Sequence, residues 1–273
     1  MWDAIIIKPF INILLFIYDL IGQNFGLAII LFTIVIKAIT HPLTAKQINS
    51  SRAVTELQTD KEWLEIQKKY KNDRERLAQE QMRIYRERGV SPFASCLPTI
   101  IQLPIIIGLY QSIIQTMGNA PIQMLNLVSK ISPWLANVFS FIPGLSDPIK
   151  LIPLNSKFLW MDIGRPERVI IPGIPFGIPT LAIIVVITSF LQSKLISQPA
   201  ADQQQQQMSG IMNIYLPLLM GWITYSFASG LAIYFVTSNL VTIAQYALLG
   251  RVNFKNLLPG KRTAVDKKEK ESK

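Results

Sequence analysis

Apolar residues in this chain are gathered into long runs, and polar or charged segments separate the runs. A helix needs about 20 consecutive apolar residues to cross a bilayer core of about 30 Å. Five runs reach roughly that length, so the pattern predicts an all-α polytopic membrane protein with five transmembrane helices. These predicted spans, numbered one to five in chain order, are residues 24–45, 93–117, 178–196, 208–227 and 231–249.

Proline positions refine two of these spans. Span one is expected to end at His41-Pro42, because proline lacks the backbone N–H that continues a helix. Span two contains Pro98 and Pro104, and membrane helices tolerate proline where neighbouring groups satisfy the freed carbonyls. We therefore expect a kink in span two.

The first 23 residues are apolar but carry three charges. Asp3, Lys8 and Asp19 leave only ten uncharged residues between the last two, which is too short to cross a bilayer. The segment has neither a basic start nor a small-residue cleavage site. We interpret residues 1–23 as an N-terminal interfacial amphipathic helix, with a signal peptide and an additional span as the alternatives.

The segments between the spans differ in composition. Residues 46–92 are charged and favour helix, which predicts a cytoplasmic helical hairpin with a break near residues 71–75. Residues 118–177 hold many Pro and Gly residues and predict an external loop with short interfacial helices. The polar residues 197–207 link spans three and four. Only residues 228–230 link spans four and five, so these two spans are expected to pack as an antiparallel hairpin.

The formal charge of +10 comes largely from two segments. Residues 46–92 carry 11 Lys/Arg against 8 Asp/Glu, and the basic tail, residues 250–273, carries 8 against 3. Short basic segments stay on the cytoplasmic side, which places the N-terminus outside and the C-terminus in the cytoplasm. Both segments act as topology signals, and the tail is also suited to contact anionic lipid or ribosomal RNA.

Few residues of this chain are suited to catalysis or metal binding. Cysteine and histidine occur once each, as Cys96 and His41, so an internal disulfide is excluded and an ordinary metal site is not expected. The sequence contains no Gly-rich phosphate loop, metalloprotease helix or nucleophile elbow. We expect no cofactor, no DNA partner and no ATP-driven pumping.

A polar stripe interrupts the apolar surface of span one. Side chains three or four residues apart share a helix face. The stripe consists of Thr33, Lys37, Thr40, His41 and Thr44. A lysine at the middle of a membrane helix costs about 2.5–3.5 kcal/mol, and less nearer an end. Lys37 therefore either extends its ammonium group to the inner headgroups or belongs to a polar site within the membrane.

Polar residues in other spans are candidates to meet this stripe. The main ones are Gln102 in span two, Gln192 in span three, and Ser238, Thr242 and Gln245 in span five; Gln111, Gln115, Thr188 and Ser189 lie on polar faces as well. No span contains Asp or Glu, so a buried Lys37 lacks an internal counter-ion, and hydration is the cheaper way to keep it charged. We infer a water-filled pocket that opens to the cytoplasm. Plain hydrogen bonding between helices is the alternative for each Gln or Thr.

Two longer motifs carry a resemblance to a known family. "SPFASCLPTIIQLPIIIGLY" (91–110) and "ASGLAIYFVTSNLVTIAQY" (228–246) resemble segments of the YidC/Oxa/Alb membrane protein insertases. The likeness covers nearly the whole chain and fits the short bacterial form without a large periplasmic domain. It implies a plasma-membrane protein with a five-helix core around a hydrophilic groove, which opens to the cytoplasm and to lipid. It also implies an insertase and not an enzyme.

The resemblance implies roles for particular residues. A basic residue in span one attracts the hydrophilic part of a nascent membrane protein, and here that residue is Lys37, with Thr33 one turn before it. The apolar part of the client is taken to move along spans three and five, where Tyr234 and Phe235 match an aromatic pair. Further implied partners are membrane lipids, the ribosome and the Sec translocon, through residues 46–91 and the basic tail.

Two positions depart from the family's pattern. Bacterial members commonly have Arg at the position of Lys37, and Lys lacks the planar guanidinium fork and is more sensitive to desolvation. The second aromatic residue is commonly Tyr, whereas Phe235 has no hydroxyl group. Both departures keep a positive groove and an aromatic pair.

Two other classes of function match the sequence less well. A small transporter or channel that uses Lys37 as an anion site is the alternative, but the chain shows no internal repeat and no paired ionisable residues in its spans. An intramembrane enzyme needs a set of catalytic residues. His41 has no identifiable partner, and Cys96 lies at the entrance of span two.

Overall fold

The computed structural model of this chain is mostly helical. It describes residues 1–58, 60–70, 73–89, 97–118, 120–132, 149, 151–170, 177–196 and 203–252. A π-helical turn, Asp3–Ile7, leads directly into the first of nine α-helices in these residues. In chain order they are α1 Lys8–Leu20, α2 Phe25–Gln58, α3 Lys61–Lys69, α4 Arg74–Glu87, α5 Leu97–Thr116, α6 Pro121–Val128, α7 Thr180–Ile196, α8 Gln203–Ser226 and α9 Ser229–Leu248. Two short strands, β1 Lys157–Phe158 and β2 Met161–Asp162, lie between α6 and α7.

Helix α2 is longer than the first predicted span. The sequence places the end of that span at His41-Pro42, and the helix itself continues to Gln58 with Pro42 inside it. Pro42 removes a single backbone donor, and the hydrogen bonds on both sides of it keep the helix continuous. Helix α2 therefore carries the polar stripe and then extends past the apolar run.

The N-terminal helix packs into the core of the molecule. Ile11, Leu14 and Leu15 of α1 are completely buried. Phe10 of α1 meets Phe32 of α2 edge to face, with ring centroids 5.0 Å apart. An apolar N-terminal segment has the same sequence pattern whether it contacts lipid or protein, and here α1 packs against α2 and α5.

Two helices in the described residues are long and apolar enough to cross a membrane. They are Phe25–Ser50, within α2, and Ser229–Leu248, which is α9. Helix α7 is a shorter apolar helix. The other two predicted spans, 93–117 and 208–227, fall on α5 and α8, although residues 93–96 lie outside the described residues.

The helices that carry the polar residues pack side by side. Helix α7 packs against α8 and α9, and α9 packs against α2. The short link Phe227-Ala228 joins α8 to α9, yet α8 packs mainly against α7. The sequence predicts that α8 and α9 pack closely as a hairpin, but they make only a minor contact. Helix α9 packs mainly against α2 and α7 instead.

The polar link before α8 is shorter than the sequence predicts. Residues 203–207, a run of five glutamines, already belong to α8. Glutamine is a good helix former, which explains why the helix begins within this run. Residues 197–202 and most of the predicted tail, residues 253–273, lie outside the described residues.

The charged segment after α2 contains a pair of helices. Helix α3 ends at Lys69 and α4 begins at Arg74. Trp63 of α3 packs against Leu57 and against Ile84 of α4, which gives the pair a small apolar core of its own.

The loop between α6 and α7 adds a β-hairpin to the predicted all-α fold. Lys157 pairs with Asp162 and Phe158 with Met161 in the antiparallel register. The ring of Phe158 lies so close to Gly26 of α2 that a Cβ at position 26 has no space. The hairpin is therefore seated on the first turn of α2.

The same loop connects the first turns of three helices. The Ser229 N–H at the start of α9 donates to the Arg165 carbonyl at 2.8 Å. The Leu181 N–H at the start of α7 donates to the Glu167 carboxylate at 3.1 Å. The hairpin of this loop also covers Gly26 in the first turn of α2. Helices α2, α7 and α9 therefore all begin at the same end of the molecule.

Candidate functional site

The polar stripe of α2 contains one charged side chain between two threonines that bond to their own helix. The Thr33 hydroxyl is fully buried and donates to the Ile29 carbonyl at 2.6 Å. The Thr40 hydroxyl donates to the Ile36 carbonyl at 2.8 Å. Such bonds satisfy a hydroxyl group in an apolar environment. The Lys37 side chain, in contrast, extends to a neighbouring helix.

Helix α9 forms hydrogen bonds with Lys37 at two positions. The Lys37 ammonium nitrogen donates to Thr242 Oγ1 at 3.2 Å. The Thr242 hydroxyl in turn donates to the Ser238 carbonyl at 2.7 Å. The Gln245 amide donates to the Lys37 carbonyl at 2.9 Å. The structure therefore brings Lys37, Thr242 and Gln245 together at the contact between α2 and α9.

The charge of Lys37 is not neutralised by the chain around it. Within the part of the chain that the structure describes, Lys37 takes part in no ion pair. The sequence of the five predicted spans holds no Asp or Glu that could provide one. Because the hydroxyl of Thr242 is uncharged, the site keeps a net positive charge.

Gln102 and the aromatic pair form a second contact, between α5 and α9. The Gln102 amide donates to the hydroxyl of Tyr234. Tyr234 and Phe235 are 1% and 6% exposed, with ring centroids 5.7 Å apart. Both rings are core residues in this structure. Because both rings are buried, a further helix can contact them only if neighbouring helices separate.

Two glutamine oxygens near α9 lack a donor. Among the described residues, Gln192 Oε1 of α7 and Gln245 Oε1 of α9 are buried without a hydrogen-bond partner. A buried acceptor without a donor costs about 1–3 kcal/mol. A hydrogen-bond donor that reaches either oxygen would therefore remove this free-energy cost.

Asn239 is a polar contact that the sequence analysis did not single out. Its amide donates to Thr188 Oγ1 at 3.2 Å and to Ser189 Oγ at 2.9 Å, which joins α9 to α7. Asn239 directly follows Ser238 but points to a different face of α9, because neighbours on a helix are about 100° apart. The adjacent hydroxyl residues Thr188 and Ser189 in an apolar helix were the sequence signal that a polar side chain of another helix lies opposite them.

Gln111 and Gln115 of α5 do not belong to the Lys37 site. Gln111 accepts a hydrogen bond from the indole of Trp2 at 2.7 Å. Gln115 accepts from the Lys130 ammonium at 2.7 Å, and the same ammonium pairs with Asp3 at 2.7 Å. These residues instead attach the N-terminal segment to α5 and to the chain after α6.

Comparison with known proteins identifies the family. A family model described as 60Kd inner membrane protein matches residues 16–256. Membrane protein insertase YidC 2 of Listeria innocua is 32% identical over 259 residues, which cover 93% of this chain and 74% of that protein. Membrane protein insertase YidC of Clostridium tetani is 32% identical over 236 residues, 86% of each chain. This chain belongs to the YidC/Oxa/Alb family.

A solved structure supports the same architecture. It is described as an active YidC insertase crystal structure with the first transmembrane domain resolved, and it matches this chain with a TM-score of 0.53 at 24% identity. The match covers 89% of this chain and 45% of the solved one, so this chain spans less than half of that protein. The likeness shows the fold alone.

Family membership confirms the resemblance seen in the two motifs. Together with the apolar helices α2 and α9, it establishes this chain as a membrane protein. The described residues contain no group of three or more His, Cys, Asp or Glu side chains arranged to hold a metal ion.

Proposed function

We propose that this chain is a membrane protein insertase that uses the positive site between α2 and α9 to receive its clients. The clients are nascent membrane proteins, as the names of the relatives indicate for those proteins. In this proposal α2, α5, α7, α8 and α9 are five spans around a hydrophilic groove that opens to the cytoplasm.

The observation that carries the proposal is the unneutralised charge of Lys37. Its ammonium group is bound by the Thr242 hydroxyl at 3.2 Å and has no carboxylate partner in the described residues. A positive charge without a counter-ion in a low-dielectric environment attracts an acidic or polar segment strongly. A client carboxylate that enters the groove provides the missing partner.

The energetics of insertion need no cofactor. A hydrated groove shortens the hydrocarbon thickness that the polar client segment has to cross. The apolar client span then gains a few tenths of a kcal/mol for each Leu or Ile that enters lipid. For an acidic segment, the membrane potential adds about 2.3 kcal/mol per charge per 100 mV.

Two polar groups of α7 and α9 assist this transfer. The Gln192 and Gln245 oxygens lack donors, so they accept hydrogen bonds from water or from a client backbone N–H. The apolar part of the client leaves along α7 and α9, past Tyr234 and Phe235. Both rings are buried in the closed arrangement, so this exit requires the neighbouring helices to separate.

In this proposal the first residues of α2, α7 and α9 lie outside the cytoplasm. Their common position at one end of the molecule supports this arrangement, because spans one, three and five must all start on the same side. The charged pair α3 and α4 and the basic tail then face the cytoplasm. There they are available to the ribosome and to the Sec translocon.

Insertion into proteoliposomes tests this proposal. A single-span client with a short acidic external segment is added to liposomes with and without the purified chain, and protection of that segment from protease is measured. We expect protection only when the chain is present. Equal protection in empty liposomes contradicts an insertase. Anion flux in the absence of client supports the transporter or channel instead.

A further inference from the structure

The tip of the β-hairpin exposes two large apolar side chains. Leu159 and Trp160 form the two-residue turn between the paired residues Phe158 and Met161, and they are 74% and 57% exposed. Leu159 has a φ of 53°, a left-handed conformation that glycine and asparagine adopt more readily than leucine. A leucine at such a turn is locally unfavourable, which points to a role for its side chain beyond folding.

The rest of the hairpin is fixed to the helices. The ring of Phe158 covers Gly26 of α2, and Met161 is buried. The Gly230 N–H at the start of α9 donates to the Ile163 carbonyl at 3.0 Å. The tip is therefore held in place on a rigid base and does not fold back onto the protein.

Hydrogen bonds to Glu167 fix the position of the tip along the helix axes. The Trp160 indole N–H donates to Glu167 Oε1 at 3.1 Å. The same carboxylate accepts from the Thr180 hydroxyl at 2.6 Å and from the Leu181 N–H at 3.1 Å, which caps the start of α7. Trp160 thus lies at the level where an apolar helix begins. Tryptophan prefers this level, where the hydrocarbon meets the headgroups.

Basic residues flank the apolar tip. Lys157 precedes the turn and is exposed, and the Arg165 side chain is 77% exposed. Arg165 lies 3.9 Å from the carboxylate of Asp162, which also stands opposite Lys157 in the hairpin. One exposed carboxylate binds such cations only weakly and leaves a net positive charge. An apolar tip between two accessible cations is complementary to a bilayer surface that contains anionic headgroups.

We propose that Leu159 and Trp160 insert into the bilayer leaflet at which α2, α7 and α9 begin, with Lys157 and Arg165 at the anionic headgroups. The partner of this surface is lipid. The hairpin then anchors the loop in the membrane, and Glu167 links this anchor to the first turn of α7. The anchor itself rests on the described geometry; only its assignment to the outer leaflet rests on the proposed function and topology.

Spin labelling of the full chain tests the anchor. Cys96 is the single cysteine, so Cys96→Ser gives a background in which Leu159→Cys carries one nitroxide. The labelled protein is reconstituted in vesicles of phosphatidylcholine and phosphatidylglycerol without client. Oxygen, which concentrates in lipid, and a water-soluble nickel complex then report the label's environment. Ile187→Cys, on the exposed face of α7, is the lipid control. Arg76→Cys, on the charged helix α4 with a side chain that is 70% exposed, is the water control.

The proposal predicts that the label at 159 resembles the one at 187, with oxygen access greater than nickel access, and that the label at 76 shows the reverse. A label at 159 that is as accessible to nickel as the one at 76 overturns the anchor. A label that becomes protected only when client is added also overturns it, because a protein partner then covers the tip. Neither result depends on whether the chain inserts clients.

A second variant separates lipid contact from folding. Leu159→Asn places a residue that tolerates the left-handed conformation at the turn and removes the apolar side chain. With a nitroxide at Trp160→Cys, the other residue of the tip, we expect lower oxygen access when Leu159→Asn is added and unchanged thermal unfolding in detergent. Unchanged oxygen access overturns the proposal.

Discussion

The Lys37 ammonium nitrogen lies 3.2 Å from Thr242 Oγ1, while the Gln245 amide lies 2.9 Å from the Lys37 carbonyl. Helix α9 therefore binds both the side chain and the backbone of the same residue of α2. The position of the charge depends on the packing of these two helices and not on the lysine rotamer alone.

Thr242→Val removes the hydroxyl that accepts from the Lys37 ammonium and keeps the shape of the side chain. The net value of such a hydrogen bond is about 0.5–1.5 kcal/mol, so we expect the initial insertion rate of an acidic client to fall by about two- to ten-fold. Thr242→Ser keeps the hydroxyl and is the control, with a rate near that of the native chain. Equal rates for the Val and Ser variants count against a role for this bond.

Tyr234→Phe removes the acceptor of the Gln102 amide between α5 and α9. The amide is then left without its partner, which costs about 1–3 kcal/mol. We expect a lower unfolding temperature in detergent, measured by intrinsic fluorescence. Tyr215→Phe is the control, because Tyr215 of α8 is 58% exposed and its loss of a hydroxyl is expected to have little effect. Equal unfolding temperatures for both variants contradict a stabilising role for the Gln102 contact.

Asn12→Ala leaves two backbone groups without partners. The Asn12 amide donates to the Lys130 carbonyl at 3.0 Å and accepts from the Ser132 N–H at 2.8 Å. Because Asn12 is completely buried, we expect a loss of about 1–3 kcal/mol for each group left unsatisfied. Faster proteolysis of the chain after α6 measures this loss. Asn126→Ala, at an exposed position of α6, is the matched control and should digest like the native chain.

Gly230→Ala tests the close approach of the loop to α9. A Cβ at this position lies 2.8 Å from Ile163 Cγ2 and 3.1 Å from Ile113 Cγ2, which is tighter than side chains tolerate. We expect a destabilisation of about 1–3 kcal/mol, measured as a lower unfolding temperature. In an Ile163→Ala background the same substitution should cost less, because the nearest methyl group is gone. Equal costs in the two backgrounds contradict the contact.

Much of the fold follows from the sequence because membrane helices have strong length and polarity constraints. The apolar runs locate α5, α7, α8 and α9, and the stripe on α2 follows from helix periodicity. The spacing of Ser238, Thr242 and Gln245 also places these three residues on one face of α9. The contacts of Thr242 and Gln245 with Lys37 depend on which helices are neighbours, and one sequence does not give that order.

Other features depend on contacts that a local pattern does not contain. The apolar residues of α1 are equally suited to lipid and to protein, so its burial could not be read from its composition. Pro42 suggested a helix end because the hydrogen bonds around it are not visible in the sequence. The turn at Leu159 carries no glycine or asparagine, so no turn signal announced the β-hairpin.

The role of the Lys37 charge is tested most directly by insertion of the same acidic single-span client by three forms of the chain: native, Lys37→Ala and Lys37→Arg. Each form is reconstituted at equal density, and thermal unfolding in detergent checks that it is folded. We expect Lys37→Ala to lose most of the insertion and Lys37→Arg to retain it, because the charge draws the client into the groove. Equal insertion by all three folded forms contradicts that claim.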